Sequence, residues 1–410
     1  MLLFDANTQW VLVSTLLLGL ASGILGSFAY LRKQSLIGDA VAHASLPGIT
    51  LAFLMIGEKN LLILMIGATL TGLLATYLIQ QISARSRLKE DTAIALVLSV
   101  FFGVGIVFLT KVAQTPSGNK SGLDSFIFGK AASLIGTDVI VMATTAFIIV
   151  IMIFLFFKEL KVATFDSAFA KGIGLPVGFL NFLFLSLLVL TVVVGIQAVG
   201  VILMAALLIT PALAARYWTD SLEVMVLLAG AIGAFSGVVG TLVSTLQIGL
   251  PTGPFIVLTA TTLFFISMLF APKRGLIAKR LRRKDNDKRL LKESLLVFLY
   301  DLSKEQSPSL LYEEVSASFY LKGKRFDTLV NILEKEQWIA TTLDTIKLTE
   351  KGMEVAKKLK VVQTLEQLQE MYPHELMNLE SREQLSKKDY QSLHQMVQEV
   401  KTIYPFMKVE

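Results

Sequence analysis

Hydrophobic and polar positions divide the chain into two regimes. Between residues 8 and 271, apolar residues run in long blocks separated by short polar turns. Nine blocks stand out, at 8–31, 36–56, 61–83, 92–110, 139–157, 176–195, 198–215, 222–247 and 253–271. Most approach the ~20 residues that a helix needs to cross ~30 Å of hydrocarbon. The alternation of a barrel strand is absent, so the blocks read as helices, which satisfy their own backbone groups in lipid. Eight spans with a re-entrant piece is the alternative, because Leu123 to Ile135 is short and amphiphilic enough for an interfacial helix.

After Lys284 the pattern changes to apolar residues spaced three or four apart among charged ones. Residues 288–302, 309–319 and 324–336 read as helices, 338–348 as an alternating hairpin, and a further helix starts at Thr349. Three helices and a two-stranded wing describe a winged-helix domain. The expected fold is therefore an all-α polytopic membrane protein carrying a cytoplasmic α+β winged-helix domain. Its divisions are a transmembrane domain at 1–275, a basic linker at 276–287 and the soluble domain at 288–410.

Composition supports this division, with 54% hydrophobic and only 17% charged residues. The first ten residues carry Asp5 and no Lys or Arg, unlike the basic start of a cleaved signal peptide, so the first block reads as a retained span. Cysteine is absent, which removes disulfides and thiolate metal ligands. Basic residues concentrate in alternate loops: Arg32 and Lys33, then Arg85, Arg87 and Lys89, then Lys158, Lys161 and Lys171, then Arg216, then the run Lys273 to Lys284. The positive-inside rule places those loops and the C-terminus in the cytoplasm and the N-terminus outside.

Charge inside the blocks is the next clue. Asp39 and His43 sit four positions apart within 36–56, whereas the other blocks are free of ionisable side chains away from their ends. A charge in hydrocarbon costs at least ~2.5–3.5 kcal/mol, so such residues generally face a pathway. Spacing i, i+4 puts both on one helix face. Carboxylate with imidazole suits manganese, iron or zinc. The bland alternative is that Asp39 caps the helix start and His43 is a packing residue. Pro47, four residues after His43, cannot bond the His43 carbonyl, and with Gly48 it makes a candidate flexing point. Pro211 frees the carbonyl of Leu207 in the same way. Glu90, Asp91, Asp138, Asp220 and Glu223 fall at block ends, where capping or solvation accounts for them. Asn181 and Gln197 read as interhelical hydrogen-bond partners, and glycines at 19, 23, 26, 233, 237 and 240 as close helix contacts.

Three separated segments resemble one family. SLIGDAVAHASLPGITLAFL (Ser35 to Leu54) resembles the signature region of the permeases of manganese, zinc and iron ABC importers. FDSAFAKGIGLP (Phe165 to Pro176) resembles that family's cytoplasmic coupling segment, and QAVGVILMAALLITPALAA (Gln197 to Ala215) its late membrane motif. The resemblance covers roughly residues 8–271. It implies a homodimer or paired permease in the bacterial plasma membrane, a separate ATP-binding subunit and an extracytoplasmic metal-binding protein. It assigns Asp39 and His43 to the metal path, and Phe165, Asp166, Ala170, Gly172 and Gly174 to the segment that meets the ATPase. The cargo it implies is a divalent ion, Mn2+ first and Zn2+ or Fe2+ as alternatives, with no permanent cofactor. The chain lacks a GxxxxGK[ST] phosphate loop, so ATP hydrolysis is expected elsewhere and the chain is not itself an enzyme. Locally, Asp166 reads as the N-cap of a short helix from Ser167 to Lys171, stopped by Gly172 and Gly174.

IKLTEKGMEVA (Ile346 to Ala356) resembles the wing exit of diphtheria-toxin-repressor-type regulators. Lys322, Lys324 and Arg325 would suit phosphate contacts. Yet residues 288–410 hold 18 Lys plus Arg against 19 Asp plus Glu, which is no basic footprint. KKLKVVQTLEQLQ stands where those repressors carry histidine ligands. The tail is expected to regulate or assemble rather than bind nucleic acid. The competing readings are a membrane-tethered, metal-linked transcriptional regulator and a secondary transporter that acts alone.

Overall fold

The computed structural model describes residues 6–57, 60–114, 136–247, 250–305, 310–320, 323–342 and 344–371. The chain divides into two compact units, 1–279 and 280–410. The first contains α1 (Ala6–Leu31), α2 (Ile37–Ile56), α3 (Leu61–Arg85), α4 (Glu90–Gln114), α5 (Gly136–Leu155), α6 (Phe157–Phe165), α7 (Ser167–Gly172), α8 (Val177–Val199), α9 (Val201–Trp218), α10 (Leu222–Ser244) and α11 (Thr252–Phe270).

Among the described residues, eight helices are long and apolar enough to cross a membrane: α1 to α5, α8, α10 and α11. The expected span at 198–215 appears as α9, whose apolar stretch is shorter, Leu203–Trp218. Its 18 residues reach ~27 Å at ~1.5 Å per residue. At its C-terminal end Arg216 pairs with Asp220, which also meets Lys273 and Arg274 beyond α11. At its start, Leu203 and the preceding Val199 lie against Gly253, in the first turn of α11. α9 therefore runs from one end of the bundle to the other. The break before it falls at Gly200, with φ 91° and ψ 161°, a conformation that only glycine adopts freely.

Contacts define the two ends. Gln34 meets Glu90, and Lys161 meets Glu223, so the loop after α1, the start of α4, α6 and the start of α10 share one end, called here the basic end. At the opposite end Gln197 donates to Asp138, and Gly136 lies beside Trp10. Between the ends, α1 packs on α10 with little side chain between them: Gly19 faces Gly233, Gly23 faces Ala229, and Gly237 faces Thr15. Thr15 Oγ1 and Thr241 Oγ1 are 3.0 Å apart across that contact. Such small-residue and hydroxyl contacts hold helices together where lipid removes the hydrophobic drive.

The second unit contains the following elements, with α12 (Leu276–Glu305) crossing the division between units: β1 (Leu310–Leu311), α13 (Tyr312–Ser318), α14 (Lys324–Lys335), β2 (Ile339–Thr341), β3 (Thr345–Leu348) and α15 (Glu350–Met371). Its three-stranded antiparallel sheet has the order β1-β3-β2, with Leu310 opposite Ile346 and Ile339 opposite Leu348. Leu295, Leu299, Phe319, Phe326, Leu333 and Ile346 form its core. Two expectations change. Residues 276–287 are helical and begin α12, because Lys and Arg are good helix formers and tolerate an exposed face. The helix expected from residue 309 starts at Tyr312, since Leu310 and Leu311 pair with β3 instead. The segment Leu123 to Ile135 and residues 372–410 lie outside the described residues.

Candidate metal path and coupling segment

Helix α2 starts without a side-chain cap, at Leu36, and ends where Gly57 turns left-handed and donates its N–H to the Phe53 carbonyl. Asp39 lies in its first turn, where a carboxylate is favoured by the helix dipole. The N-cap position itself is held by Leu36, which carries no capping group. Most of α2 is buried, but Asp39 and His43 near its start and Leu51, Leu54, Met55 and Ile56 near its end retain exposure. Asp39 Oδ1 and His43 Nε2 are 3.5 Å apart, with side chains 38% and 21% exposed. That separation is long for a hydrogen bond, and it leaves both groups able to accept a shared cation. The His43 ring stands edge-on to Phe102 of α4, with centroids 5.0 Å apart at 84°. His43 Nδ1 is buried without a partner.

One turn deeper, Pro47 and Gly48 are buried at a three-helix crossing. Gly48 abuts Gly67 and Thr71 of α3, while Gly105 of α4 abuts Leu46 and Pro47. Thr50 Oγ1 donates to the Leu46 carbonyl at 2.9 Å and to the Pro47 carbonyl at 3.1 Å. Packing on both sides thus sets how α2 passes its neighbours just beyond His43. No group of three or more His, Cys, Asp or Glu side chains gathers among the described residues. Asp39 and His43 can supply two donors, and a complete shell would take the rest from elsewhere.

The coupling candidates lie at the basic end. Asp166 Oδ1 accepts the Phe169 N–H at 2.8 Å, which makes it the N-cap of α7. Two bonds close that helix, Leu175 N–H to the Ala170 carbonyl and Gly174 N–H to the Lys171 carbonyl, both 3.0 Å. Gly174 has φ 85° between them, the left-handed position of a Schellman motif. Ala170 is buried against the bundle, and Gly172 faces open space. Phe165 at the end of α6, Phe169 within α7 and Ile173 just after it are exposed apolar side chains, of which sequence reasoning credited only Phe165.

Two further residues were not singled out from the sequence. Arg32, just beyond α1, donates from Nε to Thr164 Oγ1 at 3.1 Å and from Nη1 to Asn181 Oδ1 at 3.0 Å. Its guanidinium lies 4.3 Å from the Phe184 ring centroid, and burial lowers it to about 10. Asp138, read as a capping or solvated residue, is buried and accepts from Gln197 Nε2 at 2.9 Å. Gln197 is an interhelical partner, as the pattern suggested, whereas Asn181 bonds Arg32 in the turn after α1, and nothing in the local sequence names either mate.

Residues 5–271 match the family described as the ABC 3 transport family. The chain is 49% identical over 376 residues to the manganese transport system membrane protein MntC of Bacillus subtilis, covering 92% of this chain and 86% of that protein. It is 45% identical over 280 residues to the zinc transport system membrane protein TroC of Treponema pallidum, covering 68% of this chain and 94% of that protein. Among solved structures, PsaBC from Streptococcus pneumoniae in complex with Fab aligns with a TM-score of 0.60 at 35% identity, over 69% of this chain and 97% of that chain. With a family match that takes in α1 to α11, the chain belongs to the ABC 3 transport family, as a multi-pass membrane permease of an ABC transporter.

Proposed function

We propose that two copies of this chain line the path of an ATP-driven importer of divalent transition metal, manganese first, with Asp39 and His43 as its ligands. The observation that carries the reading is their pairing at 3.5 Å, both partly exposed, near the start of a largely buried helix. A two-fold axis beside that pair would bring two carboxylates and two imidazoles to one ion. The unpartnered His43 Nδ1 supports a ligand role, since a buried polar atom left alone costs ~1–3 kcal/mol. Carboxylate, imidazole and no thiolate favour manganese over zinc or iron. The relatives named for manganese and zinc transport agree with that cargo. Pro47 and Gly48 let α2 bend beside the site, pivoting between α3 and α4.

The exposed Phe165, Phe169 and Ile173 serve as docking contacts for a separate ATP-binding subunit at the basic, cytoplasmic end. Asp166, Ala170, Gly172 and Gly174 shape α7 for that contact. An extracytoplasmic metal-binding protein delivers the ion at the opposite end.

The second unit is a cytoplasmic winged-helix module, with divisions near 1–275, 276–287 and 288–410. The element order β1, α13, α14, β2, β3 and the sheet order β1-β3-β2 support that assignment. Its role is regulation or assembly. The match to TroC accounts for 94% of that protein with 68% of this chain, so a zinc permease of this family has no room for such a tail. The match to MntC runs well into it, because the first unit supplies only residues 1–279 of the 376 aligned.

Uptake of radioactive manganese, zinc and iron by cells carrying wild type, Asp39→Ala or His43→Ala tests the site. Each substitution is expected to lower uptake of the cargo metal by about tenfold or more at equal expression. Normal uptake of all three metals by both variants would refute the assignment.

A further inference from the structure

The turn between α1 and α2 is built in an uncommon way. Gln34 N–H bonds the Ala29 carbonyl at 2.9 Å and Lys33 N–H bonds the Tyr30 carbonyl at 3.0 Å, the paired closure that usually takes glycine at its left-handed position. Here Lys33 holds that position, with φ 61°. A non-glycine residue stays there only where the surroundings over-determine the turn. The neighbouring side chains do so. Arg32 reaches Thr164 of α6 and Asn181 of α8, and Gln34 Nε2 donates to Glu90 Oε1 of α4 at 2.7 Å.

Both sides of this turn lead to the working parts of the permease. Thr164 lies two residues before Asp166, the N-cap of α7. Five residues after Gln34 comes Asp39, in the first turn of α2. Arginine suits the position because its planar guanidinium can bond two partners while stacking on an aromatic face, here Phe184. Although burial lowers it to about 10, the group stays charged at neutral pH, so its donors are all in place. Arg32 Nη2 and Gln34 Oε1 are nevertheless buried without partners. The turn thus keeps unused donor and acceptor capacity beside its existing bonds.

We propose that the Arg32 turn is the joint through which movement of α6 and α7 reaches the metal-bearing start of α2, with Arg32 as a positioning residue. This rests on the reading of α7 as the ATPase-docking segment and of Asp39 and His43 as the metal path. A joint of this kind sets how much transport each ATP drives, without touching the ion or the nucleotide.

The test uses the full permease, reconstituted in liposomes with the ATP-binding subunit and metal-binding protein of its own transporter. Metal import and ATP hydrolysis are measured in the same vesicles, for wild type, Arg32→Met and Thr164→Val. The ratio of metal imported to ATP hydrolysed is expected to fall at least about fivefold in Arg32→Met and in the same direction in Thr164→Val. The double variant should fall no further than Arg32→Met, since both changes cut one link. Hydrogen exchange on the same complexes supplies a readout that does not depend on the cargo. In wild type, nucleotide should change exchange at both 157–172 and 35–44; in the variants it should change only at 157–172. An unchanged import-to-ATP ratio in Thr164→Val, or a nucleotide response at 35–44 equal to wild type in either variant, overturns the joint. Parallel losses of import and hydrolysis with the ratio intact would also overturn it, because a purely structural role gives that result. Absence of import by wild type would instead overturn the metal-transport reading, while exchange would still decide the joint.

Discussion

Helix α3 in the first unit and helix α14 in the second space their apolar residues three or four apart, and put them to opposite uses. Leu62, Ile66, Leu70, Leu74 and Tyr77 form an exposed stripe along α3. Phe326, Leu329, Val330 and Leu333 of α14 are buried, with Lys324, Arg325 and Thr328 exposed on the other face. The surrounding solvent decides. In water the apolar face gains by leaving the solvent, whereas in hydrocarbon it gains little by being inside. Within the apolar core of the membrane unit, the closest helix contacts are marked by small and hydroxyl side chains, as where Gly19 and Gly23 meet Gly233 and Ala229 beside the Thr15 and Thr241 pair. Periodicity alone therefore marks a buried face on α14 and an exposed one on α3.

The sharpest way to break this contrast is to empty the two kinds of apolar position. Phe326→Ala should destabilise the second unit by about 3–5 kcal/mol, because it removes a fully buried ring and leaves a cavity. Protease susceptibility of the tail in urea would show it, and a loss under about 1 kcal/mol would remove Phe326 from the core. The matching truncation in the membrane, Leu70→Ala, should stay within about 0.5 kcal/mol. Adding bulk gives the next effect in size. Gly23→Leu would drive a side chain into the backbone at Ala229 and should cost about 1–3 kcal/mol or prevent assembly of the bundle. Unfolding of the detergent-solubilised permease, followed by tryptophan fluorescence, would rank the pair. Equal stability of Gly23→Leu and Leu70→Ala would mean that small residues do not mark the inside.

The same contrast explains what could be read from the sequence. Local signals were legible: the Asp166 cap and its following glycines, the i, i+4 face shared by Asp39 and His43, and the block lengths. So were the close-contact glycines at 19, 23, 233 and 237, since glycine in a lipid-embedded helix has few other uses. Long-range polar pairings were not. Arg32 bonds residues 132 and 149 positions away, and no periodicity predicts which polar groups fold onto one another. Asp138 looked like a solvated helix start because its neighbour in space, Gln197, is 59 residues distant. The start of α12 was hidden for a different reason: a basic run reads as a linker, yet lysine and arginine extend a helix readily when one face is free.

The smallest effect concerns the exposed edge of the second unit and follows pH. Tyr312 Oη donates to Asp327 Oδ1 at 2.7 Å, and its ring stands edge-on to Phe326 with centroids 5.5 Å apart. Burial, then that hydrogen bond, then the charge of Asp327 push the phenol up to about 12. In the unfolded chain it titrates near its ordinary ~10. Between those values the folded state keeps a proton that the unfolded state has released, so folding loses stability as pH rises. The contribution is complete below pH ~10 and gone once pH passes about 12. Tyr312→Phe keeps the ring and cannot titrate. The stability difference between wild type and Tyr312→Phe, measured by urea unfolding of the tail, should therefore shrink from pH 9 to pH 11. A difference that is the same at both values would mean that the fold does not hold the phenol above its ordinary range, so that neither burial nor Asp327 acts on it.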